Sequence, residues 1–130
     1  MSYYYGATSL NRLATCDKRL QAIFMEVIKI VDCSILCGVR NKHEQDRAYM
    51  GGRTKVVFPL SKHNEYPSEA IDVIPYPVDW LDLKRMYMFV GIVKAVAFGL
   101  NIPIRCGADW DGDFYTKDQA FNDLPHFELL

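Results

Sequence analysis

The chain has 130 residues, half of them hydrophobic and 24% charged, the size and composition of one globular domain with a real core. A formal net charge of -1 and the lack of any long Lys/Arg run leave no electrostatic basis for binding nucleic acid or an anionic membrane. The longest apolar run, residues 86–100, is shorter than the ~20 residues a bilayer span needs and carries Lys94, so no membrane insertion is expected.

In chain order, the opening MSYYYGATSLNR has no basic segment leading into an apolar one, so no secretory signal is read there. Ser9 is a candidate N-cap for a helix over 11–31. Leu13, Leu20, Ile23, Phe24, Val27, Ile28 and Val31 recur through it at helical spacing. CSILCG, 33–38, reads as a short strand. NKHEQDRAYMGG, 41–52, reads as a short helix capped by Asn41 and stopped by paired glycines. Residues 53–69, with Pro59 and Pro67, read as loop. In AIDVIPY the apolar Ile71 and Val73 flank Asp72, so on a strand the carboxylate faces away from them. Pro75 and Pro77 end that strand, and Asp79 is placed to cap a second long helix over about 80–99. IPIRCG, 102–107, and the terminal HFELL read as strands. The order predicts an α+β fold: a small, largely antiparallel sheet with flanking helices, in a single domain over 1–130. The four cysteines, Cys16, Cys33, Cys37 and Cys106, form no CxxC pair and read as small buried hydrophobes.

Chemistry gathers in two stretches. SKHNEYPSEAIDV puts His63 and Asp72 on either side of a turn, and NDLPHFELL puts Asp123 three residues before His126, at the start of the last strand. Two imidazoles and a carboxylate, His63, Asp72 and His126, suit Zn²⁺, with one position left for water. Asp123 is then a candidate for moving a proton between that water and a leaving amine. Taken singly each residue also fits a surface turn or a satisfied core position. A further run, Asp109, Asp111 and Asp113 around Gly112, alternates carboxylates in a way that suits a hard cation such as Ca²⁺, although the full twelve-residue calcium loop with its terminal glutamate is missing.

Together, SKHNEYPSEAIDVIPYP and NDLPHFEL closely resemble the phage branch of a zinc peptidase family that contains D-Ala-D-Ala carboxypeptidases and L-alanyl-D-glutamate endopeptidases. The shared signature is Ser61-x-His63, Ala70-x-Asp72 and Asp123-x-x-His126, and GVRNKHEQDRAYMGGRTK looks like the family's upstream Gly-x-Arg block. The resemblance implies a hedgehog/D-Ala-D-Ala peptidase-like fold with zinc at the sheet, held by His63, Asp72 and His126. It implies Asp123 as general acid/base and Arg40 as the group that stabilises a developing oxyanion or holds a substrate carboxylate. Gln45 is a weaker candidate, read as a helix-surface glutamine; His43 reads as exposed, and Ser61 as a support for its loop. One departure is RCGADW, where Cys106 and Ala108 replace the Trp and Gly of the family's Trp-Gly-Gly-Asp-Trp turn.

What the resemblance implies for function is a phage endolysin: a zinc endopeptidase cutting the L-Ala–D-Glu bond of the peptidoglycan stem peptide during host lysis. The alternatives are a D-Ala-D-Ala carboxypeptidase, or a zinc-bearing cell-wall-binding or virion module without hydrolysis. The expected setting is a monomer in the host cytoplasm that reaches the periplasm and wall at lysis, with a separate holin-like partner.

Overall fold

The computed structural model describes residues 2–130. Its elements run α1 (Ala7–Leu13), α2 (Lys18–Val27), β1 (Cys33–Cys37), α3 (Lys42–Met50), a 3-10 turn (Lys62–Asn64), β2 (Ala70–Pro75), α4 (Leu83–Gly99), β3 (Ile104–Cys106) and β4 (His126–Leu129). The four strands form one sheet in the order β1-β2-β4-β3. Every neighbouring pair is antiparallel, so the expected α+β architecture is the observed one.

Alternation along the central strands divides the sheet into two faces. Ile71 and Val73 of β2, with Phe127 and Leu129 of β4, are buried with Leu20, Ile23, Phe24 and Val27 of α2 and Phe89, Val90, Val93 and Ala97 of α4. Phe127 sits edge-on to both Phe24 and Phe89, with ring centroids 5.5 and 6.2 Å away. Burying side chains of this kind stabilises the fold by about 1.5–3 kcal/mol each. The intervening residues, Asp72, His126 and Glu128, alternate onto the other face, where Asp72 and His126 line a cleft.

The first helix differs from the sequence expectation. It starts before Ser9 and breaks at residues 14–17, so that two helices stand where periodicity predicts one. Asp17 caps the second by accepting from the Arg19 backbone N–H, and its own N–H bonds the Ser68 carbonyl at 2.8 Å. Cys16 pairs with Ser68 as an isolated parallel bridge. Leu13, Cys16 and Leu20 all stay in the core across the break, so the apolar spacing does not register it. Ser9 is not a cap; its hydroxyl accepts from the Ile35 N–H of β1. The long helix α4 is capped by Asp82, with Asp79 holding the turn before it through Leu81 N–H. Asn41 caps α3 as expected, in a reciprocal capping box with Glu44. All four cysteines are free, and three are buried; Cys37 is only half-buried and lies beside His63, contrary to its reading as a core hydrophobe.

Candidate metal centre and active site

Asp72 and His126 are direct cross-strand partners on β2 and β4. His63 arrives from the 3-10 turn, a feature hidden in what reads as loop. Ser61 caps that turn by accepting from the His63 N–H, as its reading as a loop support requires. The His63 carbonyl accepts from the Arg40 N–H at 2.6 Å, which ties the turn to the segment leading into α3. The three sequence-predicted ligands are thereby brought together: His63 Nε2 and His126 Nδ1 each lie 3.3 Å from the same oxygen, Asp72 Oδ1.

The far side of each imidazole fixes which nitrogen carries hydrogen. His63 Nδ1 is 2.7 Å from the Gly38 carbonyl, which can only accept. His126 Nε2 is 2.8 Å from Glu128 Oε1, a carboxylate flanked by Lys62 and Arg105. Both rings are therefore pinned through the outer nitrogen, leaving His63 Nε2 and His126 Nδ1 aimed at Asp72. Metal-binding histidines are oriented in this way, by a carbonyl or carboxylate on the ring nitrogen that does not ligate.

The electrostatics ask for positive charge at this point. Burial disfavours a charged His63, yet the adjoining Asp72 carboxylate overrides it and holds the imidazole up at about 10. His126 is raised in the same way against its own burial, by Asp72 and Glu128. Asp72, although buried, is held well below the usual carboxylate range by the two imidazoles. A divalent cation can take the place of the two protons shared here, since ligation needs deprotonated donors. The donor chemistry and the pinned rings fit such an ion. Cys37 offers a further donor: its thiol, His63 and Asp72 bring ligand atoms within 4.8 Å of one another. Its sulfur lies 3.9 Å from His63 Nδ1, the nitrogen already bonded to Gly38.

Around this centre is a cleft of about 720 Å³ lined by Arg40, His63, Asp72, Asp123 and His126 among others. Arg40 reaches Asp72 Oδ2 at 3.4 Å and Gln45 Oε1 at 2.9 Å. Gln45 is not a surface residue, as the sequence reading had it. It is 0% exposed, and its amide also donates to the Val56 carbonyl at 2.6 Å. It thereby joins α3, Arg40 and the loop beyond α3, and nothing in helical spacing distinguishes that role from a solvated one. His43 is exposed, as expected.

Asp123 lies 4.0 Å from His126 Nδ1, and its carboxylate has no hydrogen-bond partner among the described residues. Burial and the nearby Asp72 push it up to about 6. Its backbone is clamped, with the N–H on the Gly107 carbonyl and the carbonyl accepting from His126 N–H. A Cβ at Gly107 would run into the Asp123 carbonyl, so glycine is required for this close approach. Cys106 and Ala108, the departures in RCGADW, are both buried in the core, and burial pushes the Cys106 thiol up to about 12. Trp110 of the same segment stacks on His126 with centroids 5.2 Å apart, its indole N–H bonded to the Phe121 carbonyl.

Asp109, Asp111 and Asp113 are also brought within 4.8 Å of one another. Asp109 is buried; one oxygen meets Lys94 Nζ and the Phe114 N–H, and the other has no partner. Phe114 sits in the left-handed region at φ 69.

A family model described as "Phage L-alanyl-D-glutamate peptidase" matches residues 1–130. A solved structure, that of the Serratia marcescens L-Ala D-Glu endopeptidase ChiX, is similar with a TM-score of 0.76 at 21% identity, covering 98% of this chain and 90% of the other. At that identity the likeness establishes the fold. No curated protein matches the chain. Among the described residues, no helix is long and apolar enough to cross a membrane.

Proposed function

We propose, on the premise that this chain belongs to the phage L-alanyl-D-glutamate peptidase family, that it is a zinc-dependent endopeptidase cutting the L-Ala–D-Glu bond of the peptidoglycan stem peptide. The observation that carries this reading is one carboxylate oxygen, Asp72 Oδ1, faced by two imidazoles already pinned from behind, with Asp123 4.0 Å from His126 Nδ1 beside them. In that role the protein would serve as an endolysin, meeting the wall from the host cytoplasm with the help of a holin-like partner.

Zinc held by His63, Asp72 and His126 would supply Lewis acidity and a water acidic enough to ionise near neutral pH. Asp123 takes the proton from the attacking water and returns it to the departing amine of D-glutamate. Its raised pKa brings it closer to neutrality than an ordinary aspartate, which suits a group that must both accept and donate. Arg40, steadied by Gln45 and Asp72, presents a permanent charge to the cleft, where the scissile carbonyl oxygen becomes negative. Gly38 and Glu128 hold the two rings in the tautomers this arrangement needs. A binding-only module has no use for a carboxylate held at the centre without a hydrogen-bond partner, which favours hydrolysis.

The test is digestion of purified peptidoglycan before and after metal stripping, read by mass spectrometry. New L-Ala C-termini and D-Glu N-termini that vanish on stripping and return with zinc are expected. Released D-Ala would instead indicate a carboxypeptidase, and no product from the zinc-loaded protein would indicate a binding module. Asp123→Ala should retain zinc and fold while losing at least ~100-fold in turnover, since proton transfer alone contributes that much. His63→Ala and His126→Ala should lose zinc as well.

For the acidic loop we propose a hard cation such as Ca²⁺ at Asp109, Asp111 and Asp113, supported by the buried, unpartnered Asp109 oxygen. Calcium should raise the melting temperature of the wild type but not of Asp111→Asn/Asp113→Asn. An unchanged wild-type melt at millimolar calcium would dispose of the site.

A further inference from the structure

The cleft carries more positive charge than the chemistry above employs. Three guanidinium groups line it, Arg40, Arg47 and Arg53, in a chain whose net charge is -1. Arg40 is engaged by Gln45 and Asp72. Arg47 and Arg53 are exposed, and among the described residues neither makes an ion pair or a side-chain hydrogen bond. The two carboxylates nearest them in sequence are engaged elsewhere: Asp46 pairs with Lys42 at 2.7 Å, and Glu44 accepts from the Asn41 N–H in the capping box of α3. Arg47, in the last turn of α3, also complements the helix dipole, but Arg53 lies beyond the helix and has no such role.

The segment bearing Arg53 is fixed in place. Its N–H bonds the Ala48 carbonyl at 2.9 Å, and three residues on, the Val56 carbonyl is held by buried Gln45. Thr54, which also lines the cleft, accepts from the Val56 N–H. Two free guanidiniums are thus presented by anchored backbone into the cavity that holds the reacting centre. Forked, permanently charged donors of this kind match a carboxylate.

Glutamate has two carboxyl groups, and a peptide continuing through it uses only one. A substrate cut on the amino side of D-glutamate therefore brings a second, free carboxylate within a few bonds of the scissile nitrogen. We propose that Arg47 and Arg53 form the subsite that reads this carboxylate, making the enzyme selective for glutamate over its primary amide. This rests on the endopeptidase reading above and names the specificity of the same cleft.

Two synthetic peptides test it: L-Ala–D-Glu–L-Lys joined through the glutamate side-chain carboxyl, with the α-carboxyl either free or amidated. The wild type should cleave the acid with kcat/KM roughly 10- to 100-fold above the amide, chiefly through KM, as loss of charge-assisted hydrogen bonds implies. In Arg47→Gln/Arg53→Gln that ratio should collapse towards one, while Arg53→Lys, which keeps the charge, should restore part of it. Zinc content reports that the centre is intact. A second arm needs no turnover: calorimetric binding of the product dipeptide D-Glu–L-Lys and of its α-amide. Equal wild-type affinities for the two, or a preference that survives in the double glutamine variant, overturns the subsite. Preference for the acid in binding, lost in that variant, with neither tripeptide cleaved, keeps the subsite and overturns the endopeptidase reading.

Discussion

At the residue scale, the centre depends on groups that no ligand motif names. His126 faces Asp72 through Nδ1 because Glu128, two residues on along the same face of β4, holds Nε2. Glu128→Gln keeps the shape but gives up the charge, and Gln can present its amide N–H₂ to the ring instead of an acceptor. Zinc affinity should fall about 10- to 100-fold, measured by competition with a chromophoric chelator, with little change in the zinc-saturated fold. An unchanged affinity would mean the ring needs no carboxylate behind it. His63, Asp72, His126 and Asp123 were singled out mainly by the family motif, since each alone also fits a surface turn or a core position, and the fold brings all four to one cleft. Gln45 and the Gly38 carbonyl were not: a buried glutamine and a surface one look alike in a helix, and a backbone acceptor has no sequence signature. Cys37 escaped because its relevance comes from the register of β1 against Asp72, which spacing does not reveal.

At the scale of elements, strand alternation proved the most informative signal, since Ile71 and Val73 against Asp72 divide core from cleft as the pattern implies. Helical periodicity was less discriminating. It ran through the break at Cys16–Asp17 because both helices present the same apolar stripe to one sheet. What the break accomplishes is tertiary: it lets Asp17 and Cys16 pair with Ser68, just before β2, a contact that local propensity cannot encode. The approach of β3's end to the Asp123 segment is of the same kind. Gly107→Ala forces that backbone apart. It should lower kcat by an order of magnitude or more, because a shift of about 1 Å in a reacting group can cost ~100-fold. Zinc affinity should weaken as well, but less than in His126→Ala, since the Gly107 N–H also bonds the His126 carbonyl at 2.8 Å. A wild-type kcat in this variant would show that Asp123 need not be held so closely.

At the scale of the whole molecule, the ligand cluster links folding stability to pH in a direction that depends on the ion. In the metal-free protein His63, raised from 6.5 to about 10, contributes stability that is complete below about pH 6.5 and lost as pH rises through 10. Asp123 acts in the same sense lower down, withdrawing stability between about 3.8 and 6. Asp72, with its lowered pKa, works oppositely, its contribution present above 3.8 and lost in acid. The melting temperature of chelator-treated protein should therefore fall between pH 6.5 and 10, whereas zinc-loaded protein, whose ligands have no proton left to lose there, should hold steady. A metal-free melt that is flat over this range would contradict the His63–Asp72 pairing. The architecture itself was readable because a short chain of alternating strands and two apolar helical stripes has few ways to close, and a solved structure only 21% identical shares the same frame. The cross-strand placement of Asp72 and His126 has a kinetic side as well. Their segments are distant in sequence, so the pair forms only when the two middle strands dock, and separating those strands must break the ion's coordination at the same moment. A bound ion would therefore slow unfolding far more than it hastens folding. The loaded protein would be long-lived among proteases, and the stripped one short-lived, even if both refold at the same rate.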